Sequence, residues 1–190
     1  PARAVDLQAN FGDEAMGARA GTFVSQGQSL EDALDRARDF AAEEMFHIGL
    51  SLLSGRLDPD RAGRAYSALA QGLTQALLSR VAEAFAEEHG RIPGGRIAVV
   101  ALGKLGSREM TAASDLDLIL IYDFPADAPD SDGRKPLGPK LYYARLTQRL
   151  ISALTAPTKA GRLYEVDMRL RPSGGEGPLA TQLASFRPYQ

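Results

Sequence analysis

Two carboxylates stand two residues apart in Ser114-Asp115-Leu116-Asp117-Leu118-Ile119-Leu120. The apolar residues around them read as a strand. Side chains alternate across a strand, so Asp115 and Asp117 share one face. At a separation of about 7 Å the two charges repel and resist burial. A hard divalent cation relieves that penalty, and Mg²⁺ completes its shell with water and phosphate oxygens. Taken alone, Asp-x-Asp is more often a pair of solvated carboxylates. A later segment changes the weighing. Tyr164, Val166, Met168 and Leu170 alternate with Glu165, Asp167, Arg169 and Arg171. One face is apolar; the other carries carboxylates and then two guanidiniums. Asp167 can join the first two carboxylates around a metal, and Arg169 and Arg171, one and two pleats on, can meet phosphate oxygens. The competing reading is a solvated strand face with an internal ion pair; three carboxylates with arginines beside them suit phosphoryl transfer.

Gly103-Lys104-Leu105-Gly106 lies about ten residues before the acidic pair. Glycines after a strand let backbone amides approach a phosphate, and Lys104 adds charge. The segment is neither a Walker A loop nor a dinucleotide fingerprint, since neither glycine pattern is present. Asp130-Ser131-Asp132-Gly133 has the start of a calcium loop, but Pro139 stands where a glutamate is required. His47 and His89, the two histidines, fall on or at the end of helical segments and read as structural.

The elements that must position these residues follow from periodicity and punctuation. Residues 1–29 read as a loosely ordered lead-in with a short helix near Glu14 to Ala20. Ser29 caps a helix whose apolar stripe runs Leu30, Leu34, Ala37, Ala41, Met45, Ile48 and Leu52, ended by Gly55. Asp58-Pro59 opens a second, with Ala62, Tyr66, Leu69, Leu73, Leu77, Val81 and Phe85 on one side. The two form a helical hairpin over 30–92. From 93 to 190 strands and helices mix, and this part is expected to be a catalytic core cut short at its C-terminal end. It has strands at Ile97–Leu102, Leu116–Tyr122 and Leu163–Arg171, a short helix at Ser107–Ala113, a helix at Leu141–Leu154 and another opening at Thr181. Asp123 to Pro139, with four prolines, two glycines and four aspartates, is expected to be a long mobile loop. The fold class is therefore α+β: a helical hairpin followed by a small mixed sheet flanked by helices.

Composition bounds the function. The chain has 190 residues, 44% of them hydrophobic, enough for a real core. It has no cysteine, which removes a disulfide framework, a thiolate nucleophile and a cysteine zinc site. No apolar run is long enough to span a membrane. No signal peptide is visible at the start, so a cytoplasmic location is expected. Net charge is −2, and no basic stripe with interleaved aromatics appears, so neither nucleic acid nor a membrane is an expected partner. The charge is uneven. Residues 1–95 carry nine basic and fourteen acidic side chains, residues 96–190 thirteen and ten, so the mildly basic half holds the motifs.

The order strand, Gly103-Lys104, Asp115-Leu116-Asp117 and a later Asp167 resembles the nucleotidyltransferase superfamily of DNA polymerase beta. Lys104 stands where that superfamily usually has serine or glycine. The wording resembles one family more closely. Gly103-Lys104-Leu105-Gly106, Glu109-Met110, Ser114-Asp115-Leu116-Asp117-Leu118-Ile119 and the run from Tyr164 to Gly174 are similar to glutamine synthetase adenylyltransferase/adenylyl-removing enzymes. Members carry two such units; one attaches AMP to a tyrosine of glutamine synthetase and the other removes it by phosphorolysis. Glu165, with Pro172-Ser173-Gly174 after it, resembles the adenylylating, C-terminal unit. The resemblance implies a polymerase-beta-like fold and ATP as substrate. It implies two Mg²⁺ ions on Asp115, Asp117 and Asp167, with Asp167 also receiving the proton. Gly103, Lys104, Gly106, Ser114, Arg169 and Arg171 would bind the nucleotide. Glutamine synthetase would be the protein substrate, and a nitrogen-signalling regulator a partner of the full-length enzyme. The readings that compete are the deadenylylating unit, another polymerase-beta-type transferase, and a non-catalytic nucleotide-binding scaffold.

Overall fold

A computed structural model describes residues 11–170 and 177–187. Arg171 and Pro172-Ser173-Gly174 lie outside the described residues. Six helices and four strands follow in the order α1 (Asp13–Ser25), α2 (Leu30–Leu53), α3 (Pro59–His89), β1 (Arg96–Ala101), α4 (Gly103–Ser107), β2 (Leu116–Asp123), α5 (Pro139–Thr155), β3 (Val166–Asp167), β4 (Ala180–Gln182) and α6 (Leu183–Phe186). The molecule is α+β, mostly helical with one small mixed sheet. Among the described residues no helix is long and apolar enough to cross a membrane.

The long helices start where their caps dictate. The Ser29 hydroxyl accepts the Asp32 N–H at 3.1 Å, and the Asp58 carboxylate accepts the Arg61 N–H at 2.8 Å. Gly55 and Gly90 follow the two helices with positive φ, as a residue leaving a helix in the left-handed region favours. Every member of the α3 stripe from Ala62 to Phe85 is buried. Ala65, Ala68, Ala70 and Leu78 are buried too, so α3 is enclosed on several sides and packs against α1, α2, α4 and α5. On α2 the buried side is broader than its apolar stripe, because Asp35, Arg38 and Glu44 are also buried and each finds a partner.

The lead-in holds the helix expected near Glu14 to Ala20, but longer: it has 13 residues, and its Met16, Ala20 and Val24 are buried. Glycine-rich sequence has low helix propensity, but here the small residues admit close packing. A Cβ on Gly72 of α3 would stand 3.1 Å from the Gly17 Cα of α1. Arg19 of α1 also pairs with buried Glu44 of α2.

The sheet is built on β2. β1 pairs antiparallel along one edge, from Arg96 opposite Asp123 to Ala101 opposite Leu118. β3 and β4 share the other edge, both parallel to β2: Asp167 is the register partner of Asp117, and Thr181 of Ile121. Leu116, Leu118, Leu120 and Tyr122 point to the core side and are buried. The third strand is far shorter than Leu163–Arg171. The Arg169 N–H turns back to the Asp167 carboxylate at 2.8 Å, a local bond that takes the backbone out of the ladder. Thr181, expected in a helix, lies in β4 instead, and the helix begins at Leu183.

Segment 123–139 does not match the mobile loop its composition suggests. The N–H groups of Asp132, Gly133 and Lys135 bond to the carbonyls of Arg91, His89 and Glu88. The Asp132 carboxylate accepts the Arg91 N–H at 2.7 Å. Gly90 and Gly133 pass so closely that a Cβ on either would meet the other's backbone within 2.2 Å.

Arg38, 3% exposed, ties the helical layer to the sheet. Its guanidinium donates to the carbonyls of Ala153 and Ala156 at the end of α5 and of Gly161 beyond it, and to Leu34 of its own helix. The segment it holds leads directly into β3. Arg38→Met should leave those carbonyls unpaired and destabilise the fold by about 2–4 kcal/mol, read as a lower denaturant midpoint at unchanged m-value.

Candidate functional site

The site is the head of β2 and the two segments beside it. Asp117 enters the sheet half-buried, and its carbonyl accepts the Leu102 N–H at 2.9 Å on the β1 edge. On the other edge Asp167 lies directly alongside in parallel register. One residue earlier, the Leu116 N–H bonds to the Glu165 carbonyl at 2.9 Å, which extends the pairing toward Asp115. The sequence-predicted aspartates therefore gather at one end of one sheet. Burial pushes the Asp117 carboxyl above its ordinary value of 3.8, and the charges of Asp115 and Asp167 push it the same way; Arg169 and Lys104 pull it back.

Gly103 stands against this carboxylate. Its φ is +50°, and a Cβ there would be 2.1 Å from an Asp117 oxygen. Sequence reasoning singled out Gly103 for phosphate approach; its conformation adds that only glycine leaves room for Asp117. The Gly103-Lys104-Leu105-Gly106 segment is the short helix α4, since the Gly106 N–H bonds to the Leu102 carbonyl at 2.8 Å. Gly106 lets that helix lie on β1, as a Cβ there would be 2.9 Å from the Ala101 carbonyl oxygen. Lys104 is exposed. Arg108, with φ +63°, ends α4, so no helix forms over Ser107–Ala113.

A turn takes that helix's place. The Ser114 hydroxyl, buried, accepts the Thr111 N–H at 2.9 Å, and the Ser114 N–H bonds to the Thr111 carbonyl. Ser114, expected at the nucleotide, thus shapes the chain just before Asp115. Thr111 was missed; its hydroxyl lies 3.1 Å from that of Ser114, and Thr-x-x-Ser before the strand was the available signal. Arg169 does not extend along a strand face. Its guanidinium forks onto both Asp167 oxygens, at 2.8 and 3.0 Å through Nε and also through Nη2. Arg162 and Glu165, exposed, form an ion pair at 2.8 Å beside this end of the sheet.

A cleft of about 510 Å³ opens next to Asp115, lined by Ala112, Ser114, Arg162, Tyr164 and Glu165 among others. A slightly larger groove of about 560 Å³ runs between α2, α3 and α5 over Leu34, Phe85 and Arg149, and none of the carboxylates lines it. Of the three aspartates only Asp115 lines the first.

Among the described residues no three His, Cys, Asp or Glu side chains stand ready to hold a metal ion by themselves. The donor chemistry nevertheless fits a hard cation. Asp117 and Asp167 offer only carboxylate oxygens, and their mutual repulsion is relieved by positive charge. Such an ion would take its remaining ligands from water and phosphate.

Comparison with known proteins shows the family. The glutamate-ammonia ligase adenylyltransferase family model matches residues 8–190. A bifunctional glutamine synthetase adenylyltransferase/adenylyl-removing enzyme of Mesorhizobium japonicum is 55% identical over 175 residues, 92% of this chain and 18% of the relative. Enzymes of the same name from Rhizobium meliloti and Xanthobacter autotrophicus are 54% and 58% identical over 90% and 84% of the chain, and 17% and 16% of their own lengths. The chain thus spans less than a fifth of these relatives. With the family model covering nearly all of it and more than half of the aligned residues shared, the chain belongs to the glutamate-ammonia ligase adenylyltransferase family.

Proposed function

We propose that this chain is a nucleotidyltransferase unit that moves AMP from ATP to a tyrosine of glutamine synthetase, releasing pyrophosphate. The observation that carries the reading is the register pairing of Asp117 with Asp167, with the Gly103 backbone against Asp117. The names of the relatives support the substrate class, and one of their two activities is AMP transfer. The exposed Glu165 just before β3 supports the adenylylating unit over the deadenylylating one, on the resemblance drawn from Tyr164-Glu165-Val166-Asp167.

In this reading Asp115, Asp117 and Asp167 hold Mg²⁺ at the head of β2. When bound, the ion neutralises phosphate charge and lowers the pKa of an incoming hydroxyl, about 10 in free tyrosine. Gly103, Lys104 and Gly106 lie on the β1 side of Asp117 and receive the triphosphate, Lys104 through its charge. Asp167, on the opposite edge, faces the nucleophile and accepts its proton. The attack runs in line at the α-phosphorus, with pyrophosphate leaving on the Lys104 side. Arg169 and Arg171 supply charge to phosphate oxygens, and Ser114 holds Asp115 in place.

Incubation of the intact protein with α-labelled ATP, Mg²⁺ and glutamine synthetase should label a tyrosine. Labelled nucleotide released from adenylylated glutamine synthetase and phosphate would instead identify the deadenylylating unit. Asp115→Asn, Asp117→Asn and Asp167→Asn should each lower transfer by about 10²–10³-fold or more. A variant with full activity removes that residue from the site.

Asp117→Asn should also stabilise the metal-free fold. The Asp117 carboxyl is raised in the folded chain, so its stabilising contribution is fully present below the unfolded value of 3.8 and is lost as pH rises through the folded value. The melting temperature of the Asn variant should exceed that of the parent by a margin that widens over that window. The margin is about 2–4 °C for each kcal/mol relieved. Added Mg²⁺ should narrow it by stabilising the parent alone. Gly103→Ala should displace the Asp117 carboxylate and lower transfer by about 10²-fold while the fold persists; unchanged kinetics would mean the carboxylate has another place to go.

A further inference from the structure

Arg169 is placed oddly for a phosphate ligand. It sits two residues after Asp167, beside three carboxylates, and spends its guanidinium on one of them. The fork is complete: Nε reaches both Asp167 oxygens, Nη2 reaches one, and the backbone N–H holds the first oxygen as well. The Asp167 side chain is 15% exposed, whereas that of Arg169 is 83% exposed. The carboxylate is therefore held in the sheet, and the arginine is the exposed partner, able to leave into solvent without disturbing packing. A guanidinium and a hard divalent cation demand the same carboxylate oxygens.

We propose that Arg169 is a displaceable counter-ion: it occupies Asp167 in the metal-free state, is expelled by the cation, and turns to the nucleotide phosphates. It is a positioning residue in the empty site and a phosphate ligand in the loaded one. The proposal rests on the reading of the three aspartates as a cation site. Charge supports it, because Asp115 and Asp117 also face Arg169 and hold its positive charge near the cluster. The pair would keep Asp167 ordered when no metal is present. It would also weaken binding of metal alone, relative to metal that arrives with phosphates able to receive the arginine.

The test is titration of the intact protein with Mn²⁺, followed by the paramagnetic signal of the free ion, with and without a non-hydrolysable ATP analogue. Arg169→Gln leaves the packed residues untouched because its side chain is exposed. Without nucleotide it should bind Mn²⁺ about fivefold more tightly than the parent, the upper range for release from an exposed ion pair. With the analogue that gain should vanish or reverse, since the variant lacks the phosphate contact. Unchanged or weaker Mn²⁺ binding without nucleotide overturns the counter-ion, and an equal gain in both conditions overturns the handover. Binding that is absent from both proteins, while Asp167→Asn changes nothing, overturns the cation site along with it. AMP transfer is measured separately, so failure of the counter-ion alone leaves the transferase reading standing.

Discussion

Like charges held side by side are the constraint around which the molecule is organised. The parallel register of β2 and β3 sets Asp117 against Asp167, and Asp115 stands one pleat away. No local preference favours that arrangement. The carboxylates repel, and burial raises Asp117 further. The cluster persists because the backbone carrying it is pinned on both edges. Leu102 donates to Asp117 from one side and Glu165 accepts from Leu116 on the other. The strand between is anchored by Leu116, Leu118 and Leu120, all buried. Burial of large apolar side chains stabilises by about 1.5–3 kcal/mol each, enough to outweigh the repulsion at one end.

The helical half acts on the site through few but specific links. α3 is the platform, with its apolar stripe wholly buried and its Gly63 surface beneath residues 108–110, the turn that leads to Asp115. The Ser67 hydroxyl of α3 bonds to the Gly63 carbonyl within the helix and accepts the Met110 N–H from that turn. α2 acts through Arg38, which gathers the carbonyls at the end of α5 and the turn beyond. The Tyr164 N–H then bonds to the Leu154 carbonyl, and two residues later the chain enters β3. A buried guanidinium that satisfies several carbonyls fixes geometry more firmly than apolar packing alone, because hydrogen bonds have direction. The position of Asp167 is thus set partly by a helix more than a hundred residues earlier.

Much of this was legible in the chain. The boundaries of α2 and α3 follow from Ser29, Asp58-Pro59 and the glycines after them, because caps are local chemistry. β1 and β2 follow from short apolar runs, and the alternation around Asp117 sorts polar from buried side chains. Asp115 and Asp117 were singled out by their spacing, and Asp167 by the alternation from Tyr164 to Arg171. Less legible were the features that depend on distant partners. α1 reads only as a short helix near Glu14 to Ala20, and its full length shows once Gly17 is seen against Gly72. Segment 123–139 reads as mobile until its N–H groups are seen to meet Glu88, His89 and Arg91. Proline and aspartate content describes what a segment can do alone, not what its neighbours impose.

The sequence by itself singled out the candidate groups: three aspartates, a glycine segment with Lys104 and a pair of arginines, in a chain without thiols. It also determined the two long helices, β1 and β2, since periodicity and capping act over a few residues. Only the tertiary structure decided how those groups face one another. It shortened β3 to two residues, because the Asp167 carboxylate captures the Arg169 N–H and ends the ladder. It turned Arg169 back onto Asp167, made Gly103 the space that Asp117 occupies, and gave Ser114 to Thr111. Each of these depends on short-range contacts of a few ångströms between side chain and backbone. Residue type constrains such contacts, and the packed fold selects among them.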